Sequence, residues 1–220
     1  AMHTYYSNEH QSITYAGYLI FVAEVASTCN ESLLMHYMLE HCEDENERKY
    51  LMTHFLDGFR TTLFRQAQFA EFEHIAHRKM QKGEPVTKDV LNELQYLKVE
   101  NRERYDYRQF LQKFVTLKED MRVDDEISYE WMRIPHFYTP YYVYQYSTGY
   151  SAAVAFSKKI LEEGKPAVDK YIGNFLCGGC SKNPIELLKS AGVDMSTPKP
   201  VDDALNVFED YLKQFEAATK

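Results

Sequence analysis

RKYLMTHFLDGFRTTLFRQAQFAEFEHIAHRKMQ, Arg48–Gln81, is the stretch whose reading decides the fold. It contains no proline and one glycine, Gly58. Its apolar residues Leu51, Phe55, Phe59, Leu63, Phe69, Phe72 and Ile75 recur at helical spacing. The acid-rich run Glu43–Glu47 precedes it and Arg78-Lys79 lies near its end, the charge order that suits a helix dipole. Lys82-Gly83-Glu84-Pro85 then breaks it. The pattern predicts a long, aromatic, amphipathic helix.

The same periodicity extends in both directions. Upstream, Ile20, Ala23, Leu34, Tyr37 and Met38 predict a helix from Tyr18 to about Cys42. Downstream, Thr87 can cap a helix through about Arg104, and another is predicted from about Arg108 to Glu119. Asp124-Asp125-Glu126 leads into a short helix that ends before Pro135. Because a residue before proline avoids the helical region, His136 is expected on a loop. Further helices are predicted from Tyr142 to Glu163, stopped by Gly164, and from Lys165 to Leu176. Asn183-Pro184-Ile185-Glu186 reads as a helix start that Gly192 closes, and Pro200–Phe215 is the last helix. No alternating strand pattern and no repeat is visible, so the fold class is all-α.

Composition bounds the partners. A chain of 220 residues can bury a substantial core as one or two domains. The net charge of −8 argues against nucleic acid or an anionic membrane as main partner. No apolar run reaches the ~18 residues of a spanning helix. The cysteines, Cys29, Cys42, Cys177 and Cys180, do not form a secreted disulfide framework. A reducing, cytoplasmic location is expected. Cys177-Gly178-Gly179-Cys180 has the spacing of redox and zinc-ribbon sites, but one pair cannot complete a structural zinc site, and the small residues suit a turn between helices. Cys29 and Cys42 read as free thiols in or near the core.

The densest chemistry lies in Ile134–Tyr150, where six tyrosines, one histidine and two prolines fall within 17 residues. A buried phenol needs a partner for its hydroxyl. So many donors suit a surface that stabilises an oxyanion or grips a peptide backbone. The alternative is that Tyr141, Tyr142, Tyr144 and Tyr146 are aromatic core on a helix face. Gly149, beside Tyr150, would admit close approach of substrate or another backbone. Glu24 is a carboxylate among Phe21, Val22, Ala23, Val25 and Ala26, where a charge is costly unless offset. A structural ion pair and a metal ligand both answer that requirement. Glu31, seven residues on, lies two turns along the same helical face and also reads as a solvent-exposed glutamate. Glu71-Phe72-Glu73-His74 holds one Glu-x-x-His spacing, with His77 three residues beyond. A di-metal carboxylate bundle needs two such motifs, so a solvated polar face is the simpler reading.

Several stretches together resemble a known family. Ala1-Met2-His3-Thr4-Tyr5-Tyr6-Ser7, Phe21–Thr28, Arg65–Glu73, Ile134–Tyr150 and Cys180–Lys189, in this order, are similar to the oligoendopeptidase F family. That family belongs to the thimet-oligopeptidase-like zinc metallopeptidases. The resemblance spans essentially the whole chain and implies an all-α, zincin-like helical part forming one wall of a substrate channel. These enzymes carry His-Glu-x-x-His on one helix, with two zinc histidines at i and i+4 and a glutamate that activates water. The present sequence contains no such motif.

The resemblance therefore implies that residues 1–220 are the C-terminal part of a metallopeptidase catalytic domain, beginning just after the second zinc histidine. It implies one zinc ion with Glu24 as third ligand, its two histidine ligands lying outside this chain. Glu31 would fix a zinc histidine through that ring's far nitrogen. His136 and Tyr150 would stabilise the transition state, and Tyr142 and Tyr144 would contact substrate. The implied activity is hydrolysis of short peptides by a metal-activated water, in partnership with the N-terminal part of the same enzyme. The competing expectation is a non-catalytic helical fragment, or a scaffold that binds peptides along its tyrosine face without metal.

Overall fold

The computed structural model describes residues 1–95 and 125–218. Every regular element among them is helical. In chain order they are α1 (Met2–His10), α2 (Ile20–His41), α3 (Glu45–Gly58), a π-helical stretch (Phe59–Phe64), α4 (Arg65–Gln81) and α5 (Lys88–Gln95). Two 3₁₀ helices follow, Asp125–Arg133 and Pro135–Tyr138. The remainder are α6 (Tyr144–Glu163), α7 (Lys165–Lys170), a second π-helical stretch (Tyr171–Leu176), α8 (Pro184–Ser190) and α9 (Lys199–Ala218).

Local chemistry accounts for most boundaries. Asp44 caps α3 by accepting from the Glu47 amide at 2.8 Å. The Thr87 hydroxyl accepts from Val90 N at 3.4 Å and starts α5. The predicted continuation of this helix from 96 to Arg104, and the whole of the predicted Arg108–Glu119 helix, lie outside the described residues. Gly164, at φ 65, ends α6. Pro184 opens α8 after Asn183, which holds the cap position without a side-chain cap bond. The long helix expected over Arg48–Gln81 starts earlier, at Glu45, and its middle is π-helical from Phe59 to Phe64. The helix expected over Lys165–Leu176 likewise turns π-helical from Tyr171.

The chain forms two compact units, Ala1–Arg65 with Gln145–Lys220, and Gln66–Tyr144. In the first, α2 and α6 make the centre of the core. Val22, Val25, Ala26 and Cys29 meet Ala152, Ala153 and Phe156, with Phe175 and Leu188 closing the cluster. The small residues of α6 let helices approach closely, and every residue from Ser151 to Ser157 is buried. A buried polar pair across that contact is satisfied, Ser32 Oγ donating to Ser157 Oγ at 2.9 Å. A second cluster joins Phe55, Phe59 and Leu63 to Val154, Ala204 and Val207. Burying each large side chain contributes roughly 1.5–3 kcal/mol.

In the second unit, Phe72 packs against Trp131 and Phe137, and Phe69 against Phe137. Trp131 Nε1 donates to Asn92 Oδ1 at 2.9 Å, so the polar end of its half-buried indole is satisfied. The Cys177–Cys180 segment is a turn. Cys177 is buried and Cys180 exposed, and the Cys180 amide donates to the Tyr15 carbonyl at 2.8 Å. Cys29 is a buried free thiol whose pKa burial pushes up to about 12. Among the described residues no helix is long and apolar enough to cross a membrane.

Candidate functional site

In the first unit, α2 carries Glu24 and Glu31 and α6 carries Tyr150, with Glu31 near enough for its charge to act on Tyr150. The crossing point of the two helices is Gly149, which is buried. A Cβ built there would stand 3.5 Å from the Phe21 ring and 3.7 Å from Val25. The space beside Gly149 is thus filled by side chains of α2, and not by another backbone or an open approach for substrate, as the sequence suggested. Gly149 packs α6 against Phe21 and Val25 of α2, one residue before Tyr150.

Glu24 is half-buried on α2. Burial holds its carboxyl above the ordinary range, with no cation among the described residues acting against it. The ion pair that would explain this carboxylate structurally is therefore not found among the described residues. Glu31 is exposed on the same helix. Its charge reaches Tyr150: burial first, and the Glu31 carboxylate second, push the Tyr150 hydroxyl well above the usual phenol range. Tyr150 thus stays protonated at neutral pH and keeps its proton to donate.

Two neighbours fix the Tyr150 ring. Phe59 packs edge-on to it, with centroids 5.0 Å apart at 78°. Gly58 leaves room for its hydroxyl, since a Cβ built there would lie 3.0 Å from Tyr150 Oη. In the sequence Gly58 stands out only as a lone glycine. That was the available signal, because a glycine inside a long helix costs roughly 1 kcal/mol against alanine and so calls for a reason. The π-helical stretch beyond it is tied to α6 by Ser147 Oγ, which donates to the Leu63 carbonyl at 2.9 Å.

In the second unit, Ile134 is extended (φ −89, ψ 99), as a residue before proline should be. His136 does not lie on an irregular loop, however. Pro135 occupies the first turn of a short 3₁₀ helix, and His136 follows it within that helix. His136 is exposed, and its ring stacks on Tyr142 at 5.8 Å and 15°. Tyr142 is half-buried, while Tyr144 is 49 % exposed and opens α6. The helix expected from Tyr142 starts two residues later because Tyr141 has φ 58. Among these tyrosines, Tyr142 and Tyr146 are half-buried while Tyr141 and Tyr144 are exposed.

Glu71 and His74, the pair with Glu-x-x-His spacing, are exposed. Glu73, one of the two residues between them, is instead only 4 % exposed. Its Oε1 accepts from the Tyr141 amide at 2.6 Å. Its burial was not legible on a face that otherwise reads as polar.

Residues 1–207 match peptidase family M3, and the chain belongs to that family. It is 50% identical over 216 residues to oligopeptidase PepF of Bacillus subtilis, covering 98% of this chain and 30% of that protein. It is 39% identical to the plasmid oligoendopeptidase F of Lactococcus lactis subsp. cremoris, with 98% and 33% covered. The crystal structure of oligoendopeptidase-F from Enterococcus faecium superimposes with a TM-score of 0.77 at 40% identity, covering 99% of this chain and 37% of that one. The chain thus spans about a third of the length of the relatives it matches. The all-helical architecture agrees with that structure.

Proposed function

We propose that this chain is the C-terminal part of the catalytic domain of a zinc metalloendopeptidase that hydrolyses short peptides. The observation that carries the reading lies on α2 and α6. Glu24 is a half-buried carboxylate on α2 with no cation among the described residues acting on it, and α6 packs on the same helix at Gly149, one residue before the un-ionised phenol of Tyr150. Membership of peptidase family M3 supports the reaction class.

Glu24 suits a zinc ligand. A carboxylate raised in pKa by burial gains most from a cation, and Zn²⁺ accepts carboxylate oxygen beside two histidines supplied from outside this chain. When bound, zinc supplies Lewis-acid polarisation and a nucleophilic water. The chain's own residues do the rest. Glu31 keeps a negative charge near Tyr150, and its carboxylate is suited to orient a zinc histidine. Tyr150 would donate a hydrogen bond from its hydroxyl to the developing oxyanion while keeping its proton. In the second unit, His136 is suited to stabilise the transition state, and Tyr142 and Tyr144 to contact a peptide. A cytoplasmic location fits the four free cysteines.

The test uses this chain with and without the rest of the enzyme. Purified residues 1–220 should not cleave a short fluorogenic peptide, because no general base of the His-Glu-x-x-His type is in the sequence. The full-length protein should cleave it at a chelator-sensitive rate. Cleavage by the chain alone, blocked by chelator, would overturn the division of labour, and a full-length protein inert with zinc would remove the peptidase reading.

Gly58→Ala separates function from stability. Alanine favours a helix interior by roughly 1 kcal/mol. Its Cβ, at 3.0 Å from Tyr150 Oη, obliges the hydroxyl to shift by a few tenths of an ångström. In the full-length enzyme the melting temperature should hold or rise while kcat falls about tenfold, a fraction of the cost of losing an oxyanion donor outright. An unchanged kcat would show that the Tyr150 hydroxyl position is not demanding.

A further inference from the structure

We infer that Glu73 is a positioning residue for the peptide-hydrolysing site, holding the Tyr141 backbone in the left-handed conformation that sets Tyr142 against His136. The functional consequence rests on the peptidase reading above. The hold itself rests only on the second unit.

Two unfavourable features meet at this point. A carboxylate buried in an aromatic surround is tolerated only when hydrogen-bonded. Glu73 is such a group, lying beside Phe72 on α4 and bordering, with His77, Trp131, Ile134 and Phe137, a hollow of about 240 Å³. A bulky residue at positive φ is a genuine outlier, and Tyr141 is the non-glycine example among the described residues. One short bond answers both: the Tyr141 amide donates to Glu73 Oε1 at 2.6 Å, and charge on the acceptor strengthens it. His77, one turn along α4, braces the pair. Its Nε2 lies 3.8 Å from Glu73 Oε1, and its ring rests over Tyr141 with centroids 5.0 Å apart.

The consequence travels along the chain through adjacent residues. Tyr142 follows Tyr141 directly and stacks on His136. Val143 is fully buried and anchors the downstream side, and Phe137 anchors the upstream side against Phe69 and Phe72. With both flanks fixed, Tyr141 is where the backbone direction is decided. Were it to relax to the extended region, Tyr142 would leave the His136 ring. Backbone strain held by surrounding structure is found where function needs an aimed side chain.

The test is a rescue experiment in the full-length enzyme. Glu73→Ala should lower kcat about 10–100-fold, the cost of misplacing site groups by about an ångström, with KM less affected and zinc content unchanged. Glu73→Gln keeps an oxygen acceptor and should recover most of that loss. Tyr141→Gly placed in the Glu73→Ala background should also recover kcat, because glycine adopts positive φ without steric cost. A purely structural Glu73 would lower the melting temperature and show no such rescue. Wild-type kcat in Glu73→Ala, or a double variant as slow as the single one, overturns the inference.

If Glu73→Ala fails to fold, hydrogen exchange of the Tyr141 amide in the wild-type enzyme decides. Protection of at least about tenfold over the amide of Ile13, a residue 97% exposed, supports the hold, and its absence overturns it. That readout is independent of catalysis. An enzyme that cleaves no peptide would remove the peptidase reading while the Tyr141 amide still judged the hold.

Discussion

Glu24→Gln in the full-length enzyme loses bound zinc and peptide hydrolysis together. The substitution keeps size and shape but replaces an anion by a neutral amide, a poorer ligand for Zn²⁺. Removing even an outer partner of a metal ligand costs about 10–100-fold in affinity or activity, so loss of a direct ligand should exceed about 10²-fold. The metal-free chain should respond with the opposite sign. Burial raises the Glu24 pKa in the folded state, so the folded protein resists the ionised form, and the contribution present at low pH is lost as pH rises through that raised value. At neutral pH glutamine escapes this penalty. Residues 1–220 carrying Glu24→Gln should therefore melt no lower than wild type. Metal analysis, turnover and a thermal melt read the three effects. Full zinc and full turnover in the variant would remove Glu24 from the site.

Tyr150→Phe gives the second large effect, with a different signature. Phenylalanine retains the ring that packs edge-on to Phe59 and removes only the hydroxyl. Zinc should remain bound. Loss of one pre-aimed oxyanion donor costs roughly 10²–10³ in kcat. The change should fall on kcat more than KM, since the donor strengthens its hold as charge develops on the oxygen. The wild-type phenol stays protonated because burial and Glu31 both oppose its ionisation, so no alkaline limb from Tyr150 should appear in the pH profile near neutrality. A Tyr150→Phe enzyme turning over at the wild-type rate would eliminate this donor.

Much of the fold is legible in the sequence because its helices are bounded by chemistry that acts locally. Thr87, Gly164 and Pro184 mark starts and stops through their own backbone and hydrogen-bonding properties, with no information from distant residues. Helix α1 offers no such signal. Its buried face is made of His3 and Ser7, so no apolar period marks it, and His3 is held by stacking on Tyr18 at 3.8 Å. The π-helical stretch from Phe59 to Phe64 keeps the apolar spacing of the surrounding helix, and a pattern of side chains does not report which carbonyl each amide chooses.

The site is legible to a different depth. Residue type and resemblance select Glu24, Glu31, His136, Tyr142, Tyr144 and Tyr150 as candidates, but environment is a tertiary property. Gly149 looked like a window for substrate and is a contact between helices. His136 looked like a loop residue, yet Pro135 starts a 3₁₀ turn beneath it. Glu73 looked solvated because its neighbours Glu71 and His74 are, and a helix turns by 100° at each step. The left-handed Tyr141 has no sequence marker, since the residues that favour positive φ are glycine, asparagine and aspartate.

The central claim is that Glu24 binds the metal. Zinc-edge anomalous diffraction from crystals of the full-length enzyme tests it most directly. The account predicts an anomalous peak about 2.0–2.2 Å from a Glu24 carboxylate oxygen, the distance of a direct zinc–carboxylate bond. A zinc peak bound elsewhere, with the Glu24 side chain turned to solvent, would contradict it.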